Sequence, residues 1–249
     1  MDTMVKFLWP EPVGPLFKQG APLEGWNEDL TLTAFMILVL AVLDVLIVRP
    51  FIHHKGRYFA LHACANAVSA WASFPDLYRA LTNDPRRAFS GPSQSMLANS
   101  AVAAIHLYHI MAFKLRREDI VHHAVFVIIL SGLAIPYKQV GGAANNFGCF
   151  FLSGFPGGVD FVLLTLVAQG IIAKRTEKRL NRHINVWIRG PSMSCYMLLG
   201  WVSYMHDIHR QYSEWILLLI VALHFVNGQY YMAQAVESNA RHEIKEDKE

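Results

Sequence analysis

Seven apolar runs divide this chain, at 30–48, 58–81, 93–115, 119–135, 146–173, 188–208 and 214–236, with short polar stretches between them. A membrane's hydrocarbon layer takes about 20 apolar residues per helix. The pattern therefore predicts an all-α polytopic membrane protein of about seven transmembrane helices in one bundle. The fourth run is short and ends at "AIPYKQVGGAANN", where Pro136 and the pair Gly141 and Gly142 break a helix. The fifth is expected to be irregular, because "SGFPGGVD" interrupts it. No repeat or low-complexity tract occurs. One membrane domain over 30–236 is expected, with a non-cytosolic segment, 1–29, before it and a charged cytosolic tail, 237–249, after it.

Composition strengthens this picture. Of 249 residues, 53% are hydrophobic and only 16% are charged, against roughly 25% charged in soluble domains. Mean hydropathy is +0.27. The net charge of +3 does not point to nucleic acid, because the basic residues stand between apolar segments rather than in one patch. Cys64, Cys149 and Cys195 all lie inside apolar segments and read as small packing residues, not a disulfide framework. Residues 1–29 hold four prolines and lack a basic start followed by an apolar core. No cleavable signal peptide is expected there, and 30–48 reads as a retained first span.

Basic residues set the orientation. With seven spans, 7 of the 22 Lys and Arg fall on the N-terminal side and 15 on the other. The positive-inside rule then places the N-terminus in the lumen or outside and the C-terminus in the cytosol. An endoplasmic reticulum or other endomembrane location is expected. The basic run "KRTEKRLNRH" (174–183) is read as a cytosolic connection that sets topology and touches anionic head groups.

Orientation gives depth. His62 lies five residues past Arg57, roughly 8 Å into the second span at 1.5 Å per residue. His109 lies at a similar depth before the third span leaves at Lys114, and His122 and His123 stand about one turn into the fourth. Asn66 shares a helix face with His62 at i+4, and His106 shares one with His109 at i+3. Asp119 stands three and four residues before the histidine pair, close enough to orient either ring. Adjacent residues on a helix point about 100° apart, which favours one histidine facing the interior and one packing on the next helix over a two-ligand metal site. Asp160, past "FPGG" in the middle of the fifth span, is costly at that depth and marks function. With Pro156, Gly157 and Gly158 it implies a polar cavity, which His224 and Asn227 of the last span are expected to line. "HLYH" and "HDIH" are weak metal spacings, and no H-x-x-H-H occurs, so a His-metal lipid oxygenase is a remote alternative. No metal or other cofactor is expected.

The stretch "RREDIVHHAVFVII" (116–129) resembles the central motif of the TLC domain family, the membrane domain shared with ceramide synthases. That motif leads a basic-acidic stretch into a His-His pair on a transmembrane helix. A Tyr- and Gly-containing loop and an Asp on the following helix come next, as Tyr137, Gly141 and Asp160 do here. In organisation the likeness spans roughly 50–237, but only the stretch from the histidine pair to Asp160 is specific. It implies His122 and His123 as the paired histidines and Asp160 as an acidic partner. In ceramide synthases such a site transfers an acyl group from acyl-CoA to a sphingoid amine. Those enzymes carry a His-Asp and further acids where this chain has "GFPGGVD", and many TLC proteins act in lipid composition, sensing or trafficking. Two functions follow as expectations. One is a protein that binds or regulates membrane lipids, and the other an acyltransferase using His122 and His123 with acyl-CoA. His62, Asn66, His106, His109, Tyr137, His224 and Asn227 are the expected substrate contacts.

Overall fold

The computed structural model describes residues 26–89, 93–115, 117–137, 142–206 and 214–246. Among these the chain is all-helical, with no strand. Seven helices account for it. Helix α1 (26–51) joins Trp26–Leu43, a π-helical stretch Asp44–Val48 and Arg49–Phe51; α2 is Arg57–Thr82 and α3 is Leu97–Ala112. Helix α4 (117–137) contains the π stretch Ala124–Ser131, α5 (142–168) contains Phe150–Gly154, and α6 (174–205) contains Asn185–Arg189. Helix α7 is Glu214–Glu246. Between α2 and α3, Asp84 caps the turn Pro85–Arg87 by accepting from the Arg86 backbone N–H. Hydrogen bonds from the Arg86 side chain and backbone hold the Asp84 carboxyl below the usual carboxylate range.

Six helices close a ring. Helix α2 packs between α3 and α5, α3 meets α4, α4 meets α7, α7 meets α6, and α6 returns to α5. Helix α1 lies outside it, mainly against α3. The first half of α5 reaches across to α3 and α7 and fills one end. An aromatic core with Phe89, Phe147 and Tyr196 occupies that end, and an aliphatic core around Leu40, Leu61 and Ile105 joins α1, α2 and α3.

Glycine sets the closest approach within the ring. A Cβ on Gly148 of α5 would lie 2.5 Å from the His224 ring of α7. That ring is buried and donates from Nδ1 to the Ile220 carbonyl at 2.8 Å, so it has little room to move. Gly148→Ala is expected to cost about 1–3 kcal/mol by overpacking, read as a lower midpoint in thermal unfolding of the purified protein.

Several expected boundaries shift. Among the described residues two helices, Glu28–Phe51 and Ala143–Ala168, are long and apolar enough to cross a membrane, and Leu97–Ala112 is apolar but shorter. Polar residues dilute α2, as His62, Asn66 and Asp76 show. Pro156 does not break α5, because a π stretch precedes it and it takes a first-turn position in the α-helix that follows. The basic run expected as a connection is helical, Lys174–Ile184, and forms the first turns of α6. The charged segment after 237 is helical through Glu246, with Arg241 paired to Glu237 at 2.7 Å.

Candidate functional site

Five histidines from three helices meet at one end of the ring. His106 Nδ1 donates to the Val102 carbonyl at 2.6 Å. A carbonyl only accepts, so Nδ1 carries the proton, and in a neutral ring Nε2 accepts. Its partner at 3.1 Å, His122 Nε2, must therefore donate. His122 Nδ1 is then an acceptor, and the Tyr231 hydroxyl donates to it at 3.1 Å. The result is a directed chain from Tyr231 through His122 and His106 to a backbone carbonyl. A second chain runs beside it. His123 Nδ1 donates to the Asp119 backbone carbonyl, so His123 Nε2 accepts, and His109 Nδ1 donates to it at 3.1 Å.

This corrects the expected division of labour between the paired histidines. Both rings of α4 point to α3, His122 toward His106 and His123 toward His109, because the i, i+3 pair on α3 presents two acceptor and donor positions along one face. Asp119 orients His123 through its main-chain carbonyl. His62 joins from α2, its ring centroid 5.9 Å from both His106 and His109. Tyr58 packs on His62 and His109 at 4.2 and 4.4 Å, and Phe161 of α5 meets His62 edge-on at 4.5 Å.

The other half of the layer centres on Arg189, buried within the π stretch of α6. Pro156 has no N–H, so the carbonyl four residues before it, Leu152, lacks its α-helical donor. Arg189 Nη2 donates to that carbonyl at 3.0 Å, and Nη1 donates to Asn185 Oδ1. Its guanidinium lies 5.6 Å from the Tyr231 ring centroid, a cation–π distance. Arg189 is also the opposite charge that acts most strongly on Asp160. Gly157 fits between Asn66 and Arg189, where a Cβ would stand 3.2 Å from Asn66 Nδ2 and 3.7 Å from Arg189 Nη2.

The polar layer thus follows the ring of helices: His62 and Asn66 from α2, the histidines of α3 and α4, Tyr231 from α7, Arg189 from α6 and Asp160 from α5. Sequence reasoning missed Tyr231 and Arg189. Their signal was spacing, since Tyr231 lies seven residues, about two turns, beyond His224 on the same face, and Arg189 follows Asn185 at i+4. His224 does not join this layer. It packs at 5.8 Å on Tyr196, in the aromatic core. Asn227 is buried on α7. Tyr137 closes α4, but its side chain, like Gly141, lies outside the described residues. Among the described residues no group of three or more His, Cys, Asp or Glu is arranged to hold a metal ion.

Comparisons with protein-family models, with curated proteins and with solved structures find no match.

Proposed function

We propose that this chain is a multi-pass, TLC-like membrane protein of about seven spans that binds or regulates membrane lipids. The lipid's polar group sits in the histidine layer near the cytosolic face. One observation carries the reading: all six helices of a closed ring bring a polar side chain to this layer, and the members from α2, α3, α4, α7 and α6 meet in succession. A ring of helices in hydrocarbon offers acyl chains an apolar path and the head group a set of donors and acceptors. Outward surfaces support membrane embedding. Large apolar side chains are exposed on every helix, among them Leu38, Trp71, Met111, Ile129, Val162, Leu198 and Val226. In water such a surface drives aggregation; in lipid it is the matching face. The basic asymmetry supports a lumenal or external N-terminus and a cytosolic C-terminus in an endomembrane.

The directed chain from Tyr231 to His106 favours a second reading, acyl transfer of ceramide-synthase type. A nucleophilic amine or hydroxyl adding to the thioester carbonyl of acyl-CoA must lose a proton. The Tyr231 oxygen takes that proton as its own passes to His122 Nδ1, and the His122 Nε2 proton passes to His106 Nε2. The tetrahedral intermediate then expels the CoA thiolate, and the chain returns the proton to sulfur. In this reading His122, His123 and Asp160 serve the reaction.

Mass spectrometry of lipids that co-purify with wild type, His122→Ala and His123→Ala, together with whole-cell lipid profiles, tests both. The binding reading expects a bound lipid whose occupancy falls about tenfold in His122→Ala, the loss of roughly one hydrogen bond, with no acylated product missing from the cells. An acylated lipid present with wild type and absent with both variants selects the acyltransferase. No lipid bound to wild type and no change in cells overturns both.

A further inference from the structure

The histidine chains satisfy one another, but the Asp160 side of the layer does not. Three polar atoms there are buried and have no protein partner: His62 Nδ1, Asp160 Oδ1 and Arg189 Nε. They come from α2, α5 and α6, which adjoin around the ring. His62 is 4% exposed and Arg189 5%. A buried donor or acceptor left unmade costs about 1–3 kcal/mol, so three on adjoining helices mark a site that a ligand completes. Gly157 and Gly158 keep the α2–α5 contact free of Cβ atoms beside Asn66, where a Cβ on Gly158 would stand 3.5 Å from that of Asn66.

We infer that His62, Asn66, Asp160 and Arg189 form a head-group subsite for an uncharged, hydroxyl-bearing lipid. This rests on the lipid-binding reading above. The choice follows from charge. Asp160 and Arg189 are one anion and one cation on adjoining helices, α5 and α6, so together they bring no net charge to the subsite. A hydroxyl donates to Asp160 Oδ1 and accepts from Arg189 Nε–H at once. A carboxylate or phosphate gains Arg189 but meets the like charge of Asp160, and an ammonium meets the reverse. His62 Nδ1 and the Asn66 amide take a second hydroxyl on the same head group.

The test uses the full chain in phosphatidylcholine nanodiscs with three probes that share one acyl length: 1-monooleoylglycerol, oleic acid and oleylamine. Competition against radiolabelled monooleoylglycerol ranks them. Wild type is expected to prefer monooleoylglycerol by about tenfold, one hydrogen bond's worth. Asp160→Asn removes the anion and is expected to move the preference toward oleic acid; Arg189→Gln moves it toward oleylamine. Arg189→Gln also loses the bond to Leu152 and can lose the fold, so Gly157→Ala serves beside it. That variant adds one methyl group between Asn66 and Arg189, 3.2 Å from the Leu152 carbonyl; it is expected to weaken monooleoylglycerol with a smaller fall in unfolding midpoint than Arg189→Gln. Equal ranking of the three probes by wild type, or a ranking that Asp160→Asn leaves unchanged, overturns the subsite. If lipids co-purify in a His122-dependent way while the ranking ignores charge, this inference alone falls. If no lipid binds at all, the lipid-binding reading falls with it.

Discussion

Arg57→Ala is expected to destabilise the protein by about 3 kcal/mol, the low end for uncovering a buried charge. The charge is Asp44, fully buried in the π stretch of α1. Arg57 grips it with both ends of its guanidinium fork, Nε to Oδ1 at 2.7 Å and Nη2 to Oδ2. Tyr108 donates its hydroxyl to Oδ2 at 2.7 Å, and Arg49 Nε stands 3.4 Å away from a half-exposed position. Those two partners remain in the variant, which keeps the loss from reaching the upper end of the range. Packing adds to it, since the Arg57 guanidinium also lies over Phe113 at 4.4 Å. Arg57→Lys keeps the charge but not the fork, so it is expected to lose less. Replacing Asp44 and Arg57 together by leucine removes the charge with its partner and is expected to recover much of the loss. Thermal and denaturant unfolding of the four proteins checks the series. A cost under about 1 kcal/mol for Arg57→Ala would place the pair with ordinary surface ion pairs and end its role as the anchor of α1.

The cluster also bears on the site. Tyr58, next to Arg57, packs on His62 and His109, and Tyr108, next to His109, holds Asp44. The outer helix is thereby tied to the two helices that carry three of the five histidines.

How far the sequence reaches is set by what it encodes locally. Apolar runs mark the helices because each must cover an apolar surface, and every expected run overlaps a helix of the structure. Counting residues from the charged ends put His62, His109, His122 and His123 at one depth, and their rings meet. Rotation about the helix axis was not legible. A π stretch adds a residue to a turn and changes which side chains face inward, and four helices here carry one. Asp44 and Arg189 both lie in such stretches. Asp44, inside the first apolar run, is fully buried on the Arg57 fork, and Arg189, at the start of the sixth, sits in the layer. His224 and Asp160 read as lining one cavity, but the Gly148 contact draws His224 into the aromatic core instead. The direction of each histidine hydrogen bond follows from a backbone carbonyl one turn away, which no residue pattern announces.

Asp76→Ala is expected to have the largest effect on stability, about 3–5 kcal/mol, and none on the histidine layer. Asp76 is fully buried and takes three donors: Arg79 Nη2 at 2.8 Å, the Gln94 backbone N–H at 2.9 Å and Asn146 Nδ2 at 2.7 Å. Asn146 also reaches Ser93 Oγ at 3.0 Å and the Ser95 carbonyl at 2.8 Å. One carboxylate thus ties α2, the segment before α3, and α5. Alanine leaves a part-buried cation, a main-chain N–H and the buried Asn146 amide around an empty position. Asn146→Ala removes a neutral partner and is expected to cost about 1–3 kcal/mol. Because the two residues share one network, the double variant is expected to lose less than the sum of the singles. Fourteen residues of α2 separate Asp76 from His62, about 21 Å of helix. Lipid retained per folded molecule is therefore expected to match wild type in Asp76→Ala, while it falls in His122→Ala without a comparable loss of stability. If lipid occupancy in Asp76→Ala falls as far as in His122→Ala at a temperature where both are folded, the ring does not separate a structural end from a binding end.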